Sequence, residues 1–288
     1  MNQSAEQTNE FVQFWNTTLA DKFERFRNIL MNGLSYHSRV PLEKLTLAPG
    51  SQVVDMGCGW GDTSIALARK LDNTGKVLGV DCVDRFLQKG REDAREAGLA
   101  NVQFVAADVQ TYPFKAEYDL CFSRFGMMFF ENPVAAMRNI RTALKPGGKL
   151  LFIVWRTIEY NDWLGKPKEL VLQFLPAPGD DAQTCGPGPF SMANPDVVTA
   201  QLKAAGFDNI EFEAIDGPVT VGDSVEEAIA FQLAIGPAGE VFREAGEAAE
   251  KQRETIEQAM RDMLSSYEQD GKIVMPSSSW AITAKNPD

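Results

Sequence analysis

The chain has 288 residues, 44% of them hydrophobic and 24% charged, which are ordinary globular proportions and exclude collagen-like or largely disordered architectures. Twenty-eight Lys and Arg against 40 Asp and Glu leave a net charge of −12, which argues against a general nucleic-acid binder, though not against one local basic groove. The length suits about two domains, or one large domain with insertions. No apolar run reaches the ~18 residues of a membrane span. The start MNQSAEQTNE has neither a basic flank nor an apolar stretch, so a cytoplasmic location without a secretory signal is expected. Cys58, Cys82, Cys121 and Cys185 are scattered and form no CxxC pair, poor material for zinc or a disulfide framework.

In chain order, residues 1–45 read as a helical segment carrying Phe11, Phe14, Trp15, Phe23 and Phe26. A buried strand is expected over 52–56, then the turn GCGWG, a helix over 62–71 capped by Asp62, a strand over 76–81, a helix over 84–97 and a strand over 102–108. A strand over 117–122, a helix over 133–144, the turn KPGG and a strand over 149–155 follow. Strands alternating with helices imply βαβ units, right-handed crossovers and a doubly wound parallel sheet. Residues 157–194 are rich in Pro and Gly and read as an irregular loop or lid. The pattern resumes with a helix over 195–206, Pro at its start and Gly at its end, and a strand over 209–215. Residues 238–269 read as a long acidic helix or helix pair. There Ile256, Met260, Met263, Leu264 and Tyr267 make one stripe that packs on the core. The chain closes with a strand in WAITAK. The expected division is a helical cap segment 1–45, a cofactor-binding core 46–156, a lid 157–194, and 195–288 completing the core with a helical cap over 224–269.

The segment with most chemical content is VVDMGCGWGD, residues 53–62. A strand ends at Asp55 and the chain turns through Gly57, Gly59 and Gly61, residues that let a ligand approach the backbone. A dinucleotide fingerprint GxGxxG fails here: from Gly57 the sixth residue is Asp62, and from Gly59 it is Ser64. Asp62 at the helix start also repels a pyrophosphate. The spacing D-x-G-x-G-x-G instead places a carboxylate where a ligand cation, such as an ammonium group, would sit. The second strand ends at Asp81, a tip that can accept both ribose hydroxyls. The third ends in Ala107-Asp108-Val109, where an acid and a backbone N–H can meet the adenine edge. Acids for an amino-acid head, a ribose and an adenine, at three successive strand ends, describe S-adenosylmethionine.

On these residues the chain resembles the class I S-adenosylmethionine-dependent methyltransferases, closely over 35–155 and in outline over 195–284. VVDMGCGWG resembles the family's first motif, GVDCVDRFLQKGRE its acidic ribose motif and FVAADVQTYPF its adenine motif. YDLCFSRFGMMFFENPVAAMRNIRTALKPGGKLLFIVWR resembles the fourth-strand region of the ubiquinone/menaquinone-type and related small-molecule branch. The resemblance implies a seven-stranded Rossmann-like α/β sheet of order 3-2-1-4-5-7-6, strand 7 antiparallel. It implies that Asp55, Gly57, Cys58 and Gly59 face the methionine part of the cofactor. Asp81 then holds the ribose, Cys82 lies beside the adenine, Asp108 and Val109 meet the adenine edge, and Ser123 lines the methionine end. Trp60 either covers the cofactor or packs on residues 1–45.

The acceptor side is thinner in signal. His37 is the single histidine; it is either a base or substrate contact, or a locally packed side chain, and Tyr36 stands in the same position. Arg124 either binds an anionic acceptor or holds the lid by a salt bridge. Among Phe125, Met127, Met128, Phe129 and Phe130, one or two are expected to face a ligand and the rest to be core; Met128 is the candidate substrate contact. Trp15 either roofs the pocket or packs between helices. The strand-4 tip FSRFG has no acid, so no metal is expected, and no Asn/Asp-Pro-Pro-Tyr motif is present there. The expected activity is methyl transfer to a small organic acceptor; the alternative is a catalytically silent cofactor-binding regulatory module. No nucleic-acid partner or membrane span is expected, and oligomeric state is left open.

Overall fold

The structure, a computed structural model, describes residues 10–179 and 187–287. Cys185 and the tip of the Pro/Gly-rich segment lie outside the described residues.

The sheet contains β1 (Gln52–Met56), β2 (Lys76–Asp81), β3 (Val102–Ala106), β4 (Tyr118–Arg124), β5 (Leu144–Trp155), β6 (Asp208–Gly222), β7 (Glu268–Gln269) and β8 (Lys272–Lys285). Its order is β3-β2-β1-β4-β5-β8-β6, with the two-residue β7 pairing on β8. This is the expected path; the short β7 only shifts the numbering. β1 to β5 run parallel and β8 pairs antiparallel with both β5 and β6. The parallel strands are buried on both faces, which is why they read as continuous apolar runs rather than alternations. Phe122, Leu150, Phe152 and Ile153 have no measurable exposure, each worth about 1.5–3 kcal/mol of burial.

The helices are α1 (Glu10–Phe14), α2 (Ala20–Arg25), α3 (Ser35–Lys44), α4 (Asp62–Lys70), α5 (Asp84–Glu96), α6 (Pro133–Ala143), α7 (Asp162–Val171), α8 (Pro195–Ala205), α9 (Val225–Ala234), α10 (Gly236–Ala245) and α11 (Glu247–Ser265). Side-chain caps start three of them. Asn132 accepts from Ala135 N, Asn194 from Asp196 N, and Ser224 from Glu227 N, each filling an orphan donor of the first turn. Pro133 and Pro195 follow their caps at a position where a missing N–H costs nothing. The N-terminal segment joins its three short helices through π-helical turns at Trp15–Leu19 and Ile29–Gly33.

Four elements, α7, β3, β6 and β8, differ from the sequence expectation. α7 lies inside the segment expected to be irregular: it forms despite Gly165 and Pro167, and Trp163, Leu164 and Val171 give it an apolar face against α10. Of the two forms expected for the acidic stretch, a long helix or a helix pair, the structure shows the pair, broken at Gly246 with φ +52°. β3 stops at Ala106, so Asp108 stands two residues beyond it. β6 and β8 are far longer than expected. Beyond the pairing of Trp155 with Ser279, they continue together from Asp216–Ser278 to Gly222–Ile273, past the end of β5. This arm overhangs the carboxyl ends of the parallel strands. The Ile29–Gly33 turn and α3 pack on β6, and Gly33 is so close that a Cβ there would lie 2.2 Å from the Thr220 carbonyl oxygen.

Candidate active site

The turn after β1 is shaped by its three glycines, with φ of +64° at Gly57, +55° at Gly59 and +79° at Gly61. They serve different ends. A Cβ on Gly57 would lie 3.1 Å from Gly126 Cα, and one on Gly61 would lie 2.5 Å from the Phe104 ring; both positions are hemmed in by protein. A Cβ on Gly59 would meet nothing within 4 Å. Gly59 therefore faces open space, the side on which a ligand would approach the backbone.

Two carboxylates flank this turn. Asp81, at the tip of β2, accepts from Gly59 N (2.8 Å) through Oδ2 and from Val83 N (2.9 Å) through Oδ1. It thereby locks the turn to its own strand end. Each oxygen keeps a lone pair for a further donor. Burial raises its pKa, opposed by the backbone N–H groups of Val83, Gly59 and Cys82. Asp55 is fully buried. Its Oδ2 accepts from Thr63 Oγ1 (2.7 Å) and Ser64 Oγ (2.6 Å), while Oδ1 has no hydrogen-bond partner. Burial pushes its pKa up to about 7, against the two hydroxyl bonds that lower it. An unpartnered buried acceptor is costly and suits a ligand that brings a donor or a positive charge.

Further along the strand tips, Asp108 Oδ1 accepts from Gln110 N (2.9 Å), and Val109 is buried with its carbonyl held by Asn139 Nδ2 (2.8 Å). The Cys82 carbonyl accepts from Asn16 Nδ2 (3.1 Å), so the N-terminal segment reaches the β2 tip. The thiols of Cys58, Cys82 and Cys121 are all pushed upward in pKa by burial. Trp60 packs on Phe86 at 4.5 Å, in a cluster with Ala20 and Val83 that Trp15, Phe23, Leu30 and Met31 border. The open question about Trp60 resolves in favour of packing against the N-terminal segment.

At the β4 tip the sequence named Phe125 as a pocket candidate but gave neither its backbone conformation nor the role of Gly126. Phe125 holds φ +58°, a conformation strained for a bulky side chain. Two features keep it there: its ring stacks on Trp155 at 3.9 Å and 15°, and its N–H donates to Ile153 O at 2.9 Å. The kink sends Gly126 onto the glycine turn, where a Cβ would lie 3.0 Å from Met56 O and 3.2 Å from Gly57 Cα. The only sequence signal was a glycine directly after a strand tip.

The structure places the remaining candidates as follows. Ser123 is fully buried and donates to the Met56 carbonyl (2.7 Å), tying the β4 and β1 ends together. His37 is also fully buried. Ser277 Oγ gives its proton to Gly217 O (2.7 Å), so toward His37 Nε2 (2.7 Å) it accepts; Ser279 Oγ then donates to Nδ1 (2.7 Å). Both ring nitrogens are occupied in the neutral Nε2–H tautomer. Burial, and then the nearby Arg124 charge, lower the pKa to about 4. The ring joins α3 to the overhanging arm and has no lone pair left for a substrate proton. Tyr36 lies against Gly217 of that arm, with Arg39 over its ring at 5.4 Å. Met128 is buried in the core, its carbonyl accepting from Ser191 Oγ (2.7 Å). Trp15 is half-buried, edge-on to Phe23 (4.9 Å) and Phe129 (5.3 Å), so it bridges the N-terminal segment to the β4 tip. Arg124 ion-pairs with Asp62 at 2.7 Å. Among the described residues no group of three His, Cys, Asp or Glu side chains is placed to hold a metal ion, and no helix is long and apolar enough to cross a membrane.

The sheet order, the glycine turn and the acids at the ends of the first three strands define a class I S-adenosylmethionine-dependent methyltransferase domain. Residues 53–148 match the model of the family described as Methyltransferase domain. The chain is similar to the ubiquinone/menaquinone biosynthesis C-methyltransferase of Shewanella pealeana, at 32% identity over 139 residues, 47% of this chain and 55% of that one. It is similar to the enzyme of the same name from Azotobacter vinelandii, at 29% identity over 213 residues, 70% of this chain and 84% of that one. The chain thus spans only about half the length of several curated relatives it matches. Among solved structures, the YcgJ protein of Bacillus subtilis shares the fold with a TM-score of 0.58 and 16% identity, covering 88% of this chain and 99% of that one. Phosphoethanolamine N-methyltransferase 2 of Haemonchus contortus, solved with S-adenosyl-L-methionine, gives a TM-score of 0.58 and 17% identity, covering 98% of this chain and 61% of that one.

The residues present fit that cofactor. Toward such a ligand the open face of Gly59 would serve as a cradle, the remaining lone pairs of Asp81 as a ribose acceptor and the unpartnered Oδ1 of Asp55 as a counter-charge.

Proposed function

We propose that the protein transfers a methyl group from S-adenosylmethionine to a small organic acceptor held between the strand tips and the surrounding helices. The observation that carries this reading is the Asp81 carboxylate, anchored by Gly59 N and Val83 N beside the one glycine of the turn Gly57–Gly61 that faces open space. When bound, the sulfonium supplies an electrophilic methyl carbon. The chain's own work is then to position and to exclude water. Alignment of reactants is worth roughly 7–11 kcal/mol of barrier in favourable cases. Asp81 fixes the ribose, Asp108 and Val109 border the adenine, and the glycine turn receives the methionine part.

The acceptor side has an apolar floor: Phe125, Met127 and Met128 are buried, with Phe129 and Phe130 partly so. The N-terminal segment, α7, α9 and α10 act as the cap in this reading, with residues 46–156 as the cofactor-binding core. The engaged state of His37 favours an acceptor that arrives already nucleophilic, since general-base help needs a free lone pair within reach. The same fact is what a silent cofactor-binding module would show, and turnover separates the two. A cytoplasmic site of action, without nucleic acid, belongs to the same proposal.

Calorimetric titration with S-adenosylmethionine and S-adenosylhomocysteine, with NADH alongside, tests the reading. Saturable binding of the first two, lost in Asp81→Ala, is expected. Binding of NADH alone, or of none by folded protein, would sink it. Incorporation of labelled methyl into one member of a panel of small aromatic and quinone-like acceptors then distinguishes enzyme from module.

A further inference from the structure

We propose that Arg124 and Asp62 form the receptor for the amino-acid head of the cofactor, Arg124 taking its carboxylate and Asp62 its ammonium group. This rests on the cofactor reading above and assigns two residues that the strand-tip motifs leave out.

The pair stands where the candidate site converges. Asp62 opens α4 directly after the glycine turn, and Arg124 ends β4. Arg124 Nη2 lies 2.7 Å from Asp62 Oδ2 and 3.0 Å from Oδ1, and the two side chains are 10% and 23% exposed. Nη1 of Arg124 reaches the Met31 carbonyl and Ser38 Oγ, both at 3.4 Å. Those two contacts are long for hydrogen bonds and easily exchanged. A guanidinium has five N–H donors and a carboxylate about four acceptor positions, so both partners keep capacity for a ligand.

The charge inventory matches a zwitterion. Within mutual electrostatic reach lie one guanidinium and two carboxyl groups, Arg124, Asp62 and Asp55. Asp55 is fully buried with Oδ1 unpartnered. Inserting a lone charge among them would leave one member of a sheltered ion pair without a partner, which is strongly unfavourable. A head carrying one positive and one negative group replaces each partner with a charge of the same sign. The polarity is set by position. The Asp62 carboxylate occupies the α4 N-terminus and disfavours a second anion there, so the ligand carboxylate falls to Arg124, where a planar fork can take it bidentately.

Calorimetry on the intact protein tests this with three ligands: S-adenosylhomocysteine, its decarboxylated analogue, and methylthioadenosine, which lacks the whole head. Wild-type protein should bind S-adenosylhomocysteine about 10- to 100-fold more tightly than the decarboxylated analogue, the range for one charge-assisted contact. Arg124→Gln should weaken S-adenosylhomocysteine by a similar factor and leave the other two within about two-fold. Asp62→Asn should weaken both ligands that carry the ammonium group and spare methylthioadenosine. Equal binding of the first two ligands by wild type overturns the proposal without any variant, so misfolding of a variant cannot rescue it. A variant that binds methylthioadenosine normally yet shows no selective loss overturns it as well. Failure of wild type to bind any of the three instead removes the cofactor reading itself.

Discussion

His37 and Asp55 carry opposite pH signatures because burial acts on opposite charge types. His37 stays neutral in the fold down to about pH 4, whereas its ordinary value is 6.5. Between those values the unfolded chain takes up a proton that the folded chain refuses. Stability therefore falls as pH drops through this window, by roughly 3 kcal/mol in total. Denaturant unfolding at pH 7, 5.5 and 4.5 should show His37→Gln losing less stability than wild type over that descent; equal losses would refute the assignment. For Asp55 the folded value, about 7, lies above the ordinary 3.8. Its contribution is present below the lower value and lost as pH rises to the upper. The stability of Asp55→Asn relative to wild type should accordingly grow between pH 4 and 7. The glycines separate packing from binding. Gly61→Ala drives a Cβ to 2.5 Å from the Phe104 ring and should lower the melting temperature markedly. Gly59→Ala meets no protein atom, so it should cost only the strain of its positive φ, about 1 kcal/mol. It should nonetheless weaken S-adenosylhomocysteine binding at least 10-fold by calorimetry, since the methyl projects into the ligand's side of the turn.

At the scale of elements, the helical stripe was legible because burial repeats with the helix period. On α11 Ile256, Met260 and Leu264 are fully buried, while Met263 and Tyr267 pack at its margin. Met260→Ala should cost about 2–4 kcal/mol in denaturant unfolding, whereas Gln258→Ala on the same helix should stay within ~0.5 kcal/mol. The parallel strands were equally legible as short apolar runs, the first three with an acid at or near the end. α7 was not. Its sequence holds Gly165 and Pro167, which read as breakers, and the helix forms because its apolar face finds α10 and because Gln232 Nε2 binds the Trp163 carbonyl (2.8 Å). The overhanging arm was also hidden. Ser277, Ser278 and Ser279 lack the alternation of a half-buried strand, since their hydroxyls serve His37, Asp216 and Gly217 rather than water.

For the molecule as a whole, ligand linkage gives the broadest check. A ligand that binds only the folded state adds about 2.7 kcal/mol at a concentration 100 times its Kd. S-adenosylhomocysteine at that level should raise the melting temperature of wild type, and should leave Asp81→Ala unmoved. An equal rise in Asp81→Ala would place the ligand elsewhere. The N-terminal segment belongs to this scale too: Asn16 touches the β2 tip, Ala20 packs with Trp60, and Gly33 abuts Thr220. The β2 tip, the glycine turn and the overhanging arm are therefore all touched by one stretch of chain. Gly33→Val should loosen it and speed hydrogen exchange across residues 10–44.

The sequence by itself determined the doubly wound sheet, the glycine turn and the acids of the three cofactor strands. These depend on local periodicity, on φ > 0 positions and on the composition of strand ends, all of which are written in neighbouring residues. Only the tertiary structure decided what His37, Ser123 and Arg124 do. Their roles depend on partners distant in the chain, Ser277 and Ser279, Met56, and Asp62. A buried polar side chain takes its meaning from whichever groups satisfy it, and for these three the satisfying groups become neighbours only when the sheet closes.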